Sequence, residues 1–168
     1  LDFMVPMGNR LLAMGHEDVD EGSNWWGTRI TRRTLAVSLI DVTPGQAPRL
    51  LSRVPLDGRW GTIPAGREDF NKLFRVFKDQ GLVLFPYRTF TDWGWNQEAG
   101  MLVVDWQGDT LSQAADLKNL GLVERGILWD DRTLVTLSVQ LLNVVDITQR
   151  RAPVTRGTLE LARNVTQL

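Results

Sequence analysis

The chain contains no cysteine and only one histidine, His16. The lack of cysteine excludes disulfides, thiolate nucleophiles and Cys-ligated metals. A single histidine cannot build a His-rich zinc site, and any Ser-His-Asp mechanism would have to use His16. No G-x-S-x-G nucleophile motif is present. The missing residues argue against thiol, serine-hydrolase and metallohydrolase chemistry, and we expect no enzymatic activity.

Neither sign of charge dominates, with 19 basic against 20 acidic side chains and a net charge of −1. Binding to a phosphate backbone needs a basic excess, so nucleic acid is not an expected partner. No apolar run approaches the roughly 20 residues that span a bilayer, so we predict that the chain is not membrane-spanning. The chain begins at Leu1 without a signal peptide, from which we expect a fragment of a longer protein.

Short apolar runs bounded by turns fill the chain and predict an all-β fold. Hydrophobic residues make up 43% of the 168 residues, which is typical of a globular chain. The runs are rich in β-branched residues, as in 35–40, 82–85 and 101–104. Helix signals are weak. Residues 67–77 fit either an amphipathic helix or a hairpin arm, and their aromatic and β-branched content favours the hairpin.

One phrase recurs along the chain and predicts its architecture. Residues 37–48 read VSLIDVTPGQAP, an apolar run that ends at an aspartate before a turn. The tripeptide Ile40-Asp41-Val42 has two similar copies, Val104-Asp105-Trp106 and Val145-Asp146-Ile147. A hairpin precedes each copy and an outer strand follows it. The first two copies lie further apart than the last two because of insertions at 59–69 and 88–98.

A unit of about 40–50 residues with four strands is typical of a β-propeller blade. We therefore predict about three four-stranded blades, at about 1–58, 70–119 and 120–168, within a single partial propeller domain over 1–168. Each aspartate is expected to cap a strand end by accepting backbone N–H groups of the following turn. Because propellers close with four to eight blades, three blades leave two faces to be covered by remaining blades or a partner chain.

The phrases also resemble a known family. VPMGNRLLAMGHEDVDEG followed by LAVSLIDVTPGQAPRLLSRVPLDG is similar to "hPlGdgrLLgiG", an acidic loop and "lSLFDVsdpanP" of the secreted bacterial and archaeal β-propeller-domain proteins. The segments EDFNKLFRVFKDQGLVLFPY, GMLVVDWQGD and ERGILWDDRTLVTLSVQLLNVVDIT resemble later segments of that family, in the same order. Ile40 replaces the usual aromatic residue, and Phe70 stands where a histidine is expected.

The resemblance implies several properties that the residues alone do not give. It implies further blades before Leu1, export to a secreted, periplasmic or cell-surface location, and often a lipoprotein or secretory signal upstream. It implies no enzymatic activity.

An acidic segment is the first candidate site. Glu17, Asp18 and Asp20 precede Glu21 and Gly22 in what we predict to be a loop. Calcium prefers six to eight oxygen ligands and a glycine that lets the loop curl, so these carboxylates are candidate calcium ligands. The segment lacks the bidentate glutamate of an EF-hand, and the alternative is a solvated acidic loop.

Two tryptophan pairs form the second candidate, Trp25 with Trp26 and Trp93 with Trp95. Exposed indoles beside glycine are suited to anchoring a protein partner or stacking on a glycan. The alternative is that they plug the channel or cover a blade edge. For most of the seven tryptophans we expect core and inter-blade packing.

Three function classes follow. The favoured one is a non-enzymatic extracytoplasmic scaffold or protein-interaction module. The second is a calcium-dependent or carbohydrate-binding module that uses the acidic and tryptophan-rich segments. The third, least favoured, is a hydrolase with a carboxylate pair drawn from Asp92, Glu98 and Asp105.

Overall fold

The computed structural model describes residues 3–56, 60–62, 73–91, 96–118, 120–121 and 123–161. These residues confirm the all-β prediction. They form thirteen strands: β1 (Phe3–Met7), β2 (Arg10–Ser23), β3 (Arg29–Asp41), β4 (Arg49–Pro55), β5 (Trp60–Thr62), β6 (Arg75–Phe77), β7 (Leu82–Thr91), β8 (Asn96–Gln107), β9 (Thr110–Lys118), β10 (Val123–Asp130), β11 (Thr133–Ser138), β12 (Leu141–Asp146) and β13 (Val154–Glu160).

The strands form three antiparallel sheets, as the repeat predicts. The first sheet has the order β1-β2-β3-β4 and the third has β10-β11-β12-β13. The middle sheet has the order β5-β7-β8-β9, and β6 pairs with β7 as well. A strand has two edges and β8 occupies one edge of β7, so β5 and β6 share the other edge. The middle sheet is therefore four strands wide, with one position filled by two short segments.

The segment 67–77, which fitted either a helix or a hairpin arm, forms a strand at its end, β6. β6 pairs antiparallel with β7, with Arg75 opposite Leu84 and Phe77 opposite Leu82. The hairpin interpretation is confirmed over these residues, while residues 67–72 lie outside the described part of the chain. The predicted units at 1–58, 70–119 and 120–168 each contain one sheet, except that β5 falls between the first two.

The chain divides into two compact units. The first comprises Leu1–Thr62, Thr89–Gln97 and Trp106–Ser112, and the second comprises Ile63–Arg88, Glu98–Asp105 and Gln113–Leu168.

In each sheet the two faces can be told apart by the repeat aspartate. Side chains alternate along a strand, so residues two and four positions before the aspartate share its face. We call this the aspartate face and the other the reverse face. Leu39, Val103 and Val144 are equivalent positions on the aspartate faces of the first, middle and third sheets.

In the second unit the middle sheet packs its aspartate face against the reverse face of the third sheet. Met101 and Val103 from the aspartate face share one buried cluster with Leu134 and Val145 of the third sheet. Gly126 of β10 lies so close that a Cβ there would be 2.7 Å from Met101 Cε. Two sheets thus meet through opposite kinds of face.

In the first unit the aspartate face of the first sheet is buried. Leu12, Met14, Val37 and Leu39 have no exposed surface. In the same unit, Ser52 of β4 contacts the main chain of Leu111. The Leu111 N–H donates to Ser52 Oγ at 2.9 Å.

The predicted role of the repeat aspartates is confirmed for two of the three. Asp41 Oδ1 accepts the N–H of Thr43 at 3.0 Å, and Asp146 Oδ1 accepts the N–H of Thr148 at 2.8 Å. For Asp105 the expectation of a strand-end cap is wrong. β8 continues two residues beyond Asp105, and this carboxylate instead accepts a hydrogen bond from Arg150 Nη1 at 2.8 Å.

An arginine at a corner of each unit links two sheets. In the first unit Arg10 contacts Asp41 of its own sheet at 2.9 Å and Asp109 of the β8–β9 turn at 2.8 Å. In the second unit Arg150, from the β12–β13 turn, contacts Asp105. Arg150 also donates to the Gln80 carbonyl at 2.8 Å, in the β6–β7 turn. In both units, the turn that precedes the fourth strand of one sheet contacts the preceding sheet at the end where that sheet's repeat aspartate lies.

Gly100 is expected to tolerate no side chain. A Cβ at this position would lie 2.6 Å from the Leu117 carbonyl oxygen and 2.8 Å from Tyr87 Oη. We predict that Gly100→Ala lowers the free energy of unfolding, measured by urea denaturation, by about 1–3 kcal/mol. The matched control is Gly157→Ala on β13, where nothing lies within 4 Å of a new Cβ. Equal stability of the two variants would contradict this packing.

Acid is expected to weaken the two aspartate caps. Hydrogen bonds from Thr43 hold the pKa of Asp41 below its ordinary value of 3.8, and those from Thr148 and Arg156 lower the pKa of Asp146. A lowered pKa means that the stabilisation is complete above the ordinary pKa and is lost as the pH falls through the folded-state value. The free energy of unfolding should therefore decline below about pH 4, and less steeply in Asp41→Asn and Asp146→Asn. Superimposable slopes for variants and parent would refute the role of these caps.

Candidate interaction surface

The longest hairpin in the described part of the chain presents the candidate site at its tip. β2 and β3 pair in register from Arg10 opposite Asp41 to Ser23 opposite Arg29. The pairing of β1 with β2 ends at Met14, and that of β4 with β3 ends at Ala36. The hairpin therefore extends beyond its neighbours within the first sheet.

Trp25 and Trp26 occupy the turn of this hairpin and are 85% and 73% exposed. Their ring centroids are 4.1 Å apart and their planes are tilted by 42°. Within the described part of the chain, both rings are open to solvent and neither is buried against an edge or a face. The interaction role of these two residues stays a prediction.

Asn24 builds the turn that carries the indoles. Its Oδ1 accepts the N–H of Trp26 at 3.0 Å and the N–H of Thr28 at 2.9 Å. Its main chain donates to the Thr28 carbonyl, and Gly27 donates back to the Asn24 carbonyl, each at 2.9 Å. Gly27 has φ +76°, a conformation that glycine adopts at little cost. The two indoles are thus fixed on an ordered turn.

Two acidic residues of the hairpin arm form ion pairs with arginines below the tip. Asp20 contacts Arg29 at 2.8 Å across the strands and accepts the N–H of Gly22 at 2.9 Å, where the register shifts by one residue. Glu17 contacts Arg53 of β4 at 2.7 Å, and Asp18 lies opposite Arg33. Residues 22–28 carry no charged side chain. The tip is therefore an uncharged end on an arm that carries charges of both signs.

The acidic segment is a strand, which corrects the predicted loop. Glu17, Asp18 and Asp20 lie within β2, where successive side chains point to opposite faces. Within the described ranges no three His, Cys, Asp or Glu side chains come together as a metal site would need. Glu17 and Asp20 already bind arginines. Calcium binding by these residues stays a prediction.

The other candidates from the sequence are placed as follows. Trp93, Trp95 and Asp92 lie outside the described residues. Glu98 and Asp105 both lie on β8, seven residues apart, which in an extended strand is about 23 Å. Glycosidase carboxylates are at most about 9.5 Å apart, so these two do not form such a pair. His16 lies within β2, opposite Leu35.

The expectation that most of the seven tryptophans pack in the core stays a prediction, because the structure describes the side chains of four of them. Trp129 of β10 is 76% exposed, like the two residues of the hairpin tip. Trp106 is half-buried and donates its Nε1–H to the Gly108 carbonyl at 2.7 Å. Sequence reasoning missed Trp129, although its place beside the Asp130-Asp131 turn was visible.

None of the described residues forms a helix that is long and apolar enough to cross a membrane.

No protein-family model and no curated protein matched the sequence. The geometry of the hairpin tip is therefore the main guide to function.

Asn24 is expected to be the residue that keeps the tip ordered. We predict that Asn24→Ala accelerates amide hydrogen exchange at Trp26 and Thr28 by about tenfold, because each loses its side-chain acceptor. Asn24→Asp keeps an acceptor and serves as the control. NMR exchange measurements distinguish the two variants, and unchanged exchange in Asn24→Ala would contradict this assignment.

Proposed function

We propose that this protein is a non-enzymatic β-propeller scaffold that binds a protein partner through the tip of its β2–β3 hairpin. The observation that carries the proposal is the pair of exposed indoles held on an ordered, uncharged turn. Two indoles present about 300–500 Å² of surface, and tryptophan is among the residues that dominate binding energy at interfaces.

The arrangement of the sheets supports the propeller part of the proposal. Each sheet is built from strands that are consecutive in sequence, as in a blade. The middle and third sheets pack through unlike faces, which is the relation that a repeated rotation produces. The arginine corners at Arg10 and Arg150 repeat one relation between neighbouring sheets.

The form of the tip favours a protein pocket over a flat polysaccharide surface. The two rings are tilted by 42°, so they do not make one continuous plane for successive sugar rings. Their edges and faces together fit a concave apolar pocket. Glycan binding is the second candidate, because either exposed indole alone can stack on a sugar face.

The proposed location is extracytoplasmic. The resemblance to exported propeller proteins supports it, and cell fractionation with an antibody to the chain tests it. Recovery of the protein only from the cytoplasm would remove this part of the proposal.

Photo-crosslinking tests the hairpin tip. We expect a benzophenone amino acid at Thr28 to give a discrete protein adduct in the cells that make the chain. The same probe at Val139, 62% exposed on the β11–β12 turn, should give none. Trp25→Ala with Trp26→Ala should abolish the adduct, since each lost anchor is expected to weaken binding at least 30-fold.

Two results would count against the proposal. One is equal crosslinking from Thr28 and Val139, and the other is an adduct that survives loss of both indoles. Quenching of tryptophan fluorescence by a polysaccharide, lost in Trp25→Ala or Trp26→Ala, would replace the protein partner with the glycan candidate.

A further inference from the structure

The aspartate face of the third sheet is apolar and partly open. Its side chains are half-buried or exposed in two cross-strand rows, Ile127, Val135 and Val144 in one and Leu137, Leu142 and Leu159 in the other. The reverse face of the same sheet is buried, with no exposed surface on Leu134 or Val145. Among the described residues, one face of this sheet is therefore core and the other is open.

The middle sheet has the same pattern on its own aspartate face, and there the face is covered. Four of its residues have no exposed surface: Leu82, Leu84, Met101 and Val103. They share a buried cluster with the reverse face of the third sheet. Leu142 and Val144 are the positions of the third sheet that correspond to Met101 and Val103, four and two places before the repeat aspartate. The open face is thus a copy of a face that another sheet already covers.

An arginine on the open face is compatible with such a cover. Arg125 of β10 lies opposite Leu137. Arg75 of β6 has a corresponding place on the middle sheet, opposite the buried Leu84. Its guanidinium carbon lies 5.7 Å from the centre of the Phe77 ring, which packs against the buried cluster. The covered face therefore carries an arginine on its outer strand as well, and the contact between the sheets forms beside it.

Two corners show which charge the turn of a following sheet brings to a repeat aspartate. In the first unit Asp41 is paired with Arg10 of its own sheet, and the β8–β9 turn brings Asp109 to that arginine at 2.8 Å. In the second unit Asp105 forms its ion pair, within the described residues, with Arg150 of the β12–β13 turn. An aspartate that already holds an arginine of its own sheet thus receives an acidic turn, and the other receives a basic one.

The corner of the third sheet belongs to the first kind. Asp146 is paired with Arg156 of its own sheet at 2.7 Å, beside an open cleft of about 320 Å³. Arg156 comes from the fourth strand and Arg10 from the second, but each contacts the repeat aspartate. The Arg10 side chain, which contacts two carboxylates, is 26% exposed, whereas that of Arg156 is 63% exposed. A second carboxylate fits this guanidinium, while a second arginine would be repelled by it.

We propose that the aspartate face of the third sheet binds the reverse face of a fourth sheet, and that an aspartate or glutamate in the turn before the last strand of that sheet contacts Arg156. The inference rests on the propeller part of the proposed function. The fourth sheet repeats the contact that the third sheet makes with the middle one, and its acidic turn repeats the contact of Asp109 with Arg10.

The size of the face favours the same polypeptide as the source of the fourth sheet. A face four strands wide and five residues long measures about 300 Å², from strand spacings of about 4.8 Å and a rise of about 3.3 Å per residue. One contact between two such faces buries on the order of 600 Å², below the roughly 1,000 Å² that a specific interface between separate proteins needs. A tethered sheet needs less area, because its effective concentration is high. The fourth sheet is therefore assigned to the same polypeptide, outside residues 1–168.

Carbodiimide coupling tests the acidic turn in the polypeptide as the cell makes it. Arg156→Lys keeps the positive charge and adds a primary amine, which carbodiimide joins to a carboxylate in contact with it. We expect an amide link from position 156 to an aspartate or glutamate outside residues 1–168 of the same polypeptide, identified by mass spectrometry of the digest. The matched control is Arg29→Lys, at an arginine paired with Asp20 in the hairpin arm, which should give no such link.

Three results of the coupling experiment would overturn the inference. The first is a link from position 156 only to Asp146 or to other residues of 1–168, and the second is a link to a separate protein or to a second copy. The third is an intact mass that shows a polypeptide no longer than residues 1–168.

Carbene labelling with a diazirine reagent tests the cover of the apolar face without any substitution. Leu159 on the face and Val139 outside it are 59% and 62% exposed. In the cell-made polypeptide we expect Leu159 to be labelled about fivefold less than Val139, because a packed sheet excludes the reagent. Equal labelling would overturn the inference. The protection should persist in Trp25→Ala with Trp26→Ala, so failure of the cover and failure of the partner site are separate results.

Discussion

The structure depends on the requirement that a sheet with two apolar faces must have both of them covered. An isolated four-stranded sheet of this kind would leave whole rows of leucine and valine in water, at a cost of about 25 cal/mol for each Å² of apolar surface. The described centre of the middle sheet meets the requirement, because Val83, Phe85, Leu102 and Val104 are as buried as Met101 and Val103 of its other face. The outer two sheets meet it on one face each.

Polar corners fix how the sheets meet once apolar faces bring them together. Burial of leucine and valine is not directional, so by itself it would allow two sheets to slide along each other. Arg10 and Arg150 remove that freedom, since each joins a carboxylate of one sheet to a turn or carboxylate of another. Arginine suits this position because its planar group can donate to several acceptors at once. The repeat aspartates provide the fixed acceptors at these corners.

The hairpin tip differs from the sheets, because its large apolar side chains are exposed and are not packed in a core. Its stability comes from the turn hydrogen bonds of Asn24 and from the paired charges of the arm, and the indoles add exposed apolar surface without packing in return. A single exposed tryptophan is ordinary on a protein surface, but an adjacent pair on an ordered turn is suited to a partner.

How much the sequence predicted differs between the fold and the candidate site. The alternating runs and the repeated aspartate phrase predicted three four-stranded sheets, because local periodicity and turn chemistry are written in neighbouring residues. The same reasoning misplaced the acidic segment as a loop. Glu17, Asp18 and Asp20 look like a solvated turn until the arginines of the paired strand are known, and pairing over that distance is not a local property.

The sequence by itself therefore determined the strands, their order and the turn-capping role of Asp41 and Asp146. Only the tertiary structure decided that Asp105 serves a corner arginine, that Trp25 and Trp26 are open to solvent, and which apolar faces stay uncovered. The physical reason is that burial and ion pairing depend on residues distant in the chain. A strand pattern states which side chains share a face, but contact with another sheet decides whether that face is core or surface.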